Sequence, residues 1–157
     1  MTRNLEEALC SACHRWGATR LLAVGGRAAR LLAACGTPAT VARADPARAA
    51  ALEAEAPYDL ALVAGVLEGL GPARGGALLA RLRDLLARRL LVVVPAGHPV
   101  WGRTRLLGLG LEHAGRHRLG DEVFDLYRFD IEHYKTTPDW LNADHWAHPE
   151  LFGKFWW

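Results

Sequence analysis

Two adjacent glycines, Gly25 and Gly26, stand where a short apolar run ends and a helix-like segment begins. A strand that ends on glycines and enters a helix offers backbone N–H groups and the positive end of the helix dipole to a ligand. Asp45 ends the next apolar run, about 20 residues further on, where a carboxylate can accept hydrogen bonds from ribose hydroxyls. The pattern predicts a nucleotide site. A plain strand-to-helix turn and a helix-capping aspartate are the equally open alternative.

A second group of chemically capable residues is the Cys-x-x-Cys-His motif of Cys10, Cys13 and His14, which matches the string used for haem attachment. Covalent haem needs export and a second axial ligand, and the chain has neither an evident signal sequence nor a methionine besides Met1. A zinc site completed by Cys35 would lack the second matched pair that such sites usually have. We therefore expect no haem and no metal, with the two motif cysteines acting as small apolar residues on a helix.

The elements that must position the glycines and Asp45 alternate along the chain. Short apolar runs at 20–24, 40–44, 58–64 and 90–94 are separated by helix-like segments. Such alternation predicts an α/β fold with a mostly parallel sheet covered on both faces. The carboxyl ends of its strands would bring Gly25, Gly26, Asp45, Ala64 and Gly65 to one edge, where open sheets of this class bind ligands.

Two further segments, 111–119 and 123–131, flank Gly120 and Asp121 and predict a terminal antiparallel hairpin. Its alternation places Phe124 and Leu126 on one face, with Tyr127 and Phe129 on the other. The helices are predicted at 4–16, 27–34, 47–56, 71–89 and 100–109. The apolar face of the fourth helix carries five leucines: Leu78, Leu79, Leu82, Leu85 and Leu86.

The last segment, 132–157, holds two prolines and six tryptophan and phenylalanine rings, and predicts an irregular aromatic arm. The rings are Trp140, Trp146, Phe152, Phe155, Trp156 and Trp157. We expect them to pack on the core or on a second copy, so a homodimer could form through the arm. The chain is then one Rossmann-like three-layer domain, 1–157, with an N-terminal helix (1–17), a core (18–131) and the arm (132–157).

Composition excludes several function classes. The chain has 157 residues, 51% of them apolar and 23% charged, which is a globular balance. A net charge of +2 does not indicate a nucleic-acid partner, and no apolar run approaches the length of a membrane span. Three cysteines do not make a disulfide scaffold. We expect a cytoplasmic protein whose partner is an unidentified small molecule or protein, with neither nucleic acid nor membrane involved.

These features together resemble the class I S-adenosylmethionine-dependent methyltransferases. The resemblance rests on the glycine turn, on Asp45, and on the stretches PYDLALVAGVLEGL and RRLLVVVP at 57–70 and 88–95. It implies S-adenosylmethionine as the cofactor, held by Gly25, Gly26, Asp45 and the turn at Ala64 and Gly65. The arm resembles the ending of a short uncharacterised bacterial family with the same core.

The chain also departs from that family's pattern. The family has an acidic residue just before its glycines and a third spaced glycine, whereas this chain has Leu22 to Val24 before the turn and Arg27 after it. Only one helix fits between Asp45 and Tyr58, so the next strand of the family is absent or rearranged. No general base is evident near Glu68. The departures favour an alternative function, that of a non-catalytic descendant acting as a protein-interaction module through its arm.

Overall fold

Seven strands form one mixed sheet at the centre of the computed structural model, which describes residues 3–36, 39–54 and 56–134. The strands, in chain order, are β1 (Arg3–Asn4), β2 (Arg20–Val24), β3 (Thr40–Ala44), β4 (Leu60–Ala64), β5 (Arg89–Pro95), β6 (Glu112–Leu119) and β7 (Glu122–Asp130). Their spatial order is β1-β6-β7-β5-β4-β2-β3. The predictions for the aromatic rings of the arm lie outside the described residues.

Helices cover both faces of this sheet, because its central strands are buried aliphatic runs. They are α1 (Leu5–Trp16), α2 (Gly26–Ala34), α3 (Pro46–Ala51), α4 (Pro72–Arg81), α5 (Arg103–Gly108) and the short α6 (Ile131–Tyr134). The first two pack on one face, and the next three pack on the other. The predicted three-layer α/β fold is confirmed. None of the helices within the described ranges is long and apolar enough to cross a membrane.

The pairing of the strands follows the sequence pattern closely. Strands β3, β2, β4 and β5 are parallel, and β7 runs antiparallel to both β5 and β6. The hairpin faces are as predicted: Phe124 and Leu126 join the core under α1 and α2, while Tyr127 and Phe129 join the opposite one. One pairing was not predicted. The two-residue strand β1 lies parallel to β6, so β6 is not the outermost strand.

Two predicted helices were wrong in detail. The helix expected at 47–56 ends at Ala51, where Leu52 takes an extended backbone. The helix expected at 71–89 keeps regular α geometry only to Arg81 and then widens into a π-helical turn, Leu82–Leu86. A π turn has more residues per turn, so it rotates the following side chains out of phase. Leu85, assigned to the buried face, is therefore 63% exposed, whereas Leu86 is buried.

The prediction for Cys10 was also wrong. Its sulfur forms a disulfide with Cys35, which joins α1 to the turn after α2 with a Cα–Cα distance of 5.1 Å. The pairing depends on how the two helices pack side by side, and this cannot be obtained from the spacing of three cysteines. Cys13 is a free thiol buried in the core, and burial raises its pKa. For that residue the structure agrees with the predicted apolar role.

At the amino end of the parallel strands, Asp59 joins β4 to the start of β2. Its carboxylate accepts hydrogen bonds from the Thr19 N–H at 2.9 Å, the Thr19 hydroxyl at 3.0 Å and the Arg20 N–H at 3.0 Å. These donors, the Thr19 backbone first, lower the pKa of Asp59 below its ordinary value of 3.8. Asp59 therefore has a structural role at the end of the sheet opposite to the glycine turn.

We predict that Asp59→Asn lowers the free energy of unfolding by about 1 kcal/mol at neutral pH, because a charged acceptor is lost. The pKa of this carboxyl is lower in the folded chain than in the unfolded chain. Its contribution is therefore present above pH 3.8 and lost as the pH falls further. Denaturant unfolding at several pH values should give a smaller loss of stability in acid for the variant. Parallel curves for variant and wild type would contradict this role.

We predict that Cys35→Ser lowers the free energy of unfolding by about 3 kcal/mol, because the bond closes a loop with a sequence separation of 25. Cys13→Ala is the matched control, since it removes a thiol without touching the bond. Peptide mass mapping without reductant should find Cys10 joined to Cys35, with Cys13 alkylated only after unfolding. Equal stability of Cys35→Ser and wild type, or free thiols at both positions, would refute the disulfide.

Candidate functional site

A cleft of about 720 Å³ opens at the carboxyl ends of β2, β3 and β4, between the first turns of α2 and α3. It is lined by Gly25, Gly26, Asp45 and Gly65, so four of the five residues predicted for a site come together. Ala64 does not line the cleft, because it is the last buried residue of β4. Its neighbours Gly65 and Val66 take its place in the wall.

Gly25 is the point at which three strands meet. Its φ is +96°, and a Cβ there would lie 2.5 Å from Val66 Cγ2 and 2.8 Å from the Ala64 carbonyl oxygen. Only glycine therefore fits between β2 and the turn after β4. Its N–H donates to the Ala44 carbonyl at 3.0 Å, so this amide is not available to a ligand. The prediction of a free N–H is therefore wrong for Gly25, and only the residues that follow it can have one.

The first turn of α2 reaches the cleft at Gly26. Gly26 is its first residue, no side chain caps the helix, and the first intrahelical bond runs from the Ala29 N–H to the Gly25 carbonyl. The amides of Gly26, Arg27 and Ala28 precede that bond and have no intrahelical acceptor. A Cβ at Gly26 would meet nothing within 4 Å, so here the absent side chain leaves open space rather than making a contact.

Asp45 caps helix α3 and also faces the cleft. One carboxylate oxygen, Oδ1, accepts from the Arg48 N–H at 2.7 Å, and the residue is exposed. A carboxylate has acceptor sites on both oxygens, so Oδ2 remains able to accept from a ligand hydroxyl. The capping role and the binding role considered from the sequence are compatible in one geometry.

Arg27 is not part of the cleft lining but lies beside Gly65 and extends toward the hairpin. Its side chain runs over Gly65, where a Cβ would lie 3.1 Å from Arg27 Cβ. The guanidinium then reaches β7, 5.2 Å from the centre of the Phe124 ring and 3.8 Å from the Glu122 carboxylate. The Arg27 side chain therefore covers the backbone at Gly65.

The charged groups of the cleft are mostly cationic. Arg30, Arg43 and Arg48 line it and are exposed, against the single carboxylate of Asp45. Within the described ranges no carboxylate lies within ion-pair distance of these three arginines. Glu68 is not part of the lining. The cleft therefore attracts anions, and its one carboxylate already serves as a helix cap.

No grouping of three or more metal-ligating side chains occurs in the part of the chain that the structure describes. The Cys-x-x-Cys-His motif does not form such a group. Cys10 is held in the disulfide, and His14 Nδ1 lies 2.8 Å from the backbone carbonyl of Cys10 on the same helix.

The hairpin carries a polar cluster that the sequence did not indicate. Asp125 accepts two hydrogen bonds from Arg116, at 3.0 and 3.1 Å, and lies 3.1 Å from His113 Nε2. Burial alone would raise the pKa of Asp125, but the bonds from Arg116 and His113 outweigh it and lower the pKa. Burial raises the pKa of the neighbouring Tyr127, whose ring meets His113 edge-on at 5.1 Å. The register of β6 with β7 creates this cluster, so no sequence motif predicts it.

Several solved structures with a similar fold are methyltransferases. One is magnesium protoporphyrin IX methyltransferase from Synechocystis PCC 6803 with bound SAM, at a TM-score of 0.56 and 15% identity over 78% of this chain and 76% of that chain. Another is 1,6-didemethyltoxoflavin-N1-methyltransferase from Burkholderia thailandensis, with bound 1,6-didemethyltoxoflavin and S-adenosylhomocysteine. Its TM-score is 0.56, with 16% identity over 81% and 79%. The class I methyltransferase-like fold is thereby confirmed.

Within that fold class, the chain belongs to the family described as a family of unknown function, DUF6231, whose model matches residues 3–157. A search of curated proteins finds no match.

We predict that Gly25→Ala destabilises the fold by more than about 2 kcal/mol, since a methyl group there meets backbone and Val66 in a left-handed conformation. Gly26→Ala is the matched control. Its position is open and helical, so it should be neutral or slightly stabilising. Thermal unfolding of both variants measures the difference. Equal melting temperatures for the two would contradict the packing role of Gly25.

Proposed function

We propose that the cleft binds an adenosine-containing ligand, S-adenosylmethionine or a related nucleotide, with Asp45 accepting hydrogen bonds from the ribose hydroxyls. One observation carries the proposal: the second carboxylate oxygen of Asp45 and the uncapped first turn of α2 face the same cleft at the carboxyl ends of the strands. The two similar structures hold S-adenosylmethionine or S-adenosylhomocysteine, which supports an adenosine ligand in this fold.

The residues present fit the nucleoside part of such a ligand better than its amino acid part. Gly26 leaves open space beside the α2 amides, and Asp45 supplies the ribose acceptor. At the end of β2, by contrast, the buried Ala23 and Val24 offer no acid for an ammonium group. Arg27, which is one of the departures from the family pattern, covers Gly65. A positively charged sulfonium is disfavoured and an anionic nucleotide is favoured by the lining arginines.

Methyl transfer is the activity that the resemblance to the methyltransferases implies. The residues of the cleft support it only through placement of the acceptor. S-adenosylmethionine would supply an activated methyl group when bound. The chain would contribute placement of the acceptor relative to that group, which is a sufficient source of catalysis for some transfers. Among the described lining residues the one carboxylate is that of the capping Asp45, and none of them is a separate carboxylate or histidine base.

The alternative function, a protein-interaction module acting through the aromatic arm, concerns rings outside the described residues and stays a prediction. A homodimer formed through the arm also stays a prediction. Cytoplasmic localisation also stays a prediction. The bond between Cys10 and Cys35 argues against it, because such bonds persist mainly in oxidising compartments.

The test is calorimetric titration with three adenosine ligands that differ in charge. These are S-adenosylmethionine, S-adenosylhomocysteine and adenosine monophosphate. We predict saturable binding, tightest for the monophosphate because it is the only one of the three with a phosphate for the arginines. Absence of heat and of any thermal shift with all three at about millimolar concentration would contradict the proposed site.

The matched variant for this titration is Asp45→Asn. An asparagine can still cap α3, so the fold should keep its stability. The loss of a charged acceptor should weaken binding of every adenosine ligand by about tenfold. Unchanged affinity in this variant, in a protein that binds the ligands, would show that Asp45 is only a helix cap.

A further inference from the structure

The disulfide between Cys10 and Cys35 is attached to the helix that reaches the candidate cleft. Cys35 directly follows α2, and Gly26, the first residue of the same helix, lines the cleft that contains Asp45. The helix has nine residues, so the bond lies about 13 Å along the helix from the cleft. Cys10 is in the middle of α1, which packs beside α2 on the same face of the sheet. The bond therefore anchors one end of a helix whose other end forms part of the site.

The bonded cysteines are accessible to small thiols. Both Cys10 and Cys35 are partly exposed, whereas Cys13 is only 2% exposed. A disulfide is broken by attack of a thiolate on one of its sulfurs, so an exposed bond is more labile than a buried one. Burial raises the pKa of Cys13, so this thiol stays protonated near neutral pH and does not compete as a nucleophile. The bond can therefore open and close without a contribution from Cys13.

Helix α2 depends for its order on contacts outside itself. Its nine residues are fewer than an isolated helix needs to be stable in water, and no side chain within the described ranges caps its first turn. Its buried residues are small or aliphatic: Ala28, Ala29, Leu31 and Leu32. Loss of the bond to α1 should therefore let α2 open locally more often than the rest of the fold opens.

An adenosine ligand and a disulfide indicate different compartments. Adenosine nucleotides and S-adenosylmethionine are metabolites of the cell interior, where thiol buffers keep most cysteines reduced. A disulfide in such a compartment is usually transient and sensitive to the redox state. A chain that carries both an adenosine site and the bond is consistent with one compartment only if the bond opens and closes there.

We propose that the bond between Cys10 and Cys35 is a thiol–disulfide switch that sets how firmly α2 is held and, through α2, the affinity of the adenosine cleft. The oxidised form holds α2 against α1 and keeps Gly26 in its binding position. The reduced form lets α2 open locally, so the site is complete for only part of the time and the ligand binds less tightly. The effect on affinity rests on the proposed function, whereas the effect on α2 does not.

The chemistry is a two-step exchange with a small thiol such as glutathione. A glutathione thiolate attacks one sulfur of the bond, forms a mixed disulfide and releases the other cysteine as a thiolate. A second glutathione thiolate attacks the glutathione sulfur of that mixed disulfide, so oxidised glutathione leaves and the remaining cysteine is released. The two cysteine thiolates take up the two protons that the glutathione thiols lost. Two electrons pass from glutathione to the protein, and the reverse sequence closes the bond.

The first test needs no adenosine ligand. The folded full chain is equilibrated with glutathione mixtures that span cytoplasmic ratios of reduced to oxidised form, and mass mapping measures the fraction with Cys10 joined to Cys35. We expect the bond to open and close within that range. A bond that resists glutathione in the folded chain would overturn the proposal, because it would then be a permanent part of the structure.

Amide hydrogen exchange of the oxidised and reduced chains then measures how firmly α2 is held. The amides of α2 should exchange faster in the reduced chain by about tenfold or more, while those of α4, on the opposite face of the sheet, should change less. An equal change in both helices, or no change in α2, would mean that the bond does not act on α2 in particular, and the switch would fail.

The second test is titration of both forms with adenosine monophosphate. We expect the reduced chain and Cys35→Ser to bind about threefold more weakly than the oxidised chain, and Cys13→Ala, the matched control, to keep the difference between its two forms. Measurable and equal affinities in the oxidised and reduced chains would overturn the control of the cleft. Absence of binding in both forms would instead refute the proposed function, and the exchange of the α2 amides would then decide the switch by itself.

Discussion

The close approach of β2 to the turn after β4 is the constraint on which the candidate site depends. Gly25 packs against the Ala64 carbonyl and Val66, while its N–H is bonded to Ala44. This contact fixes where α2 begins and therefore brings Gly26 to the cleft. It also explains why only part of the glycine turn is available for binding: the first glycine holds three strands together, and only the second leaves space for a ligand.

The β3 side of the cleft is open and charged, whereas Arg27 covers the backbone on the hairpin side. Toward β3 the sheet ends, since the short α3 leads directly back to β4, and this edge leaves Asp45 and the lining arginines exposed. Toward the hairpin, Arg27 crosses Gly65 and reaches β7. The cleft thus keeps a cationic lining on the side of β3, while Arg27 covers Gly65 on the side of the hairpin.

The sequence predicts well what depends on local periodicity and poorly what depends on packing between elements. Buried aliphatic runs placed the parallel strands, and strict alternation placed the faces of the hairpin. The predicted burial of Leu85 was wrong because a π turn changes the helical phase. The predicted apolar role of Cys10 was wrong because its disulfide partner, Cys35, lies at the end of another helix. The path of Arg27 over Gly65 arises only once the sheet is assembled.

The central claim is that an adenosine ligand binds at the carboxyl ends of β2, β3 and β4. The most direct measurement is an amide ¹H–¹⁵N correlation map of the labelled chain during titration with adenosine monophosphate. The account predicts progressive shifts at Gly26, Gly65 and Gly69, three glycines that line the cleft. Shifts confined to other regions, with these three amides unmoved at saturation, would contradict it.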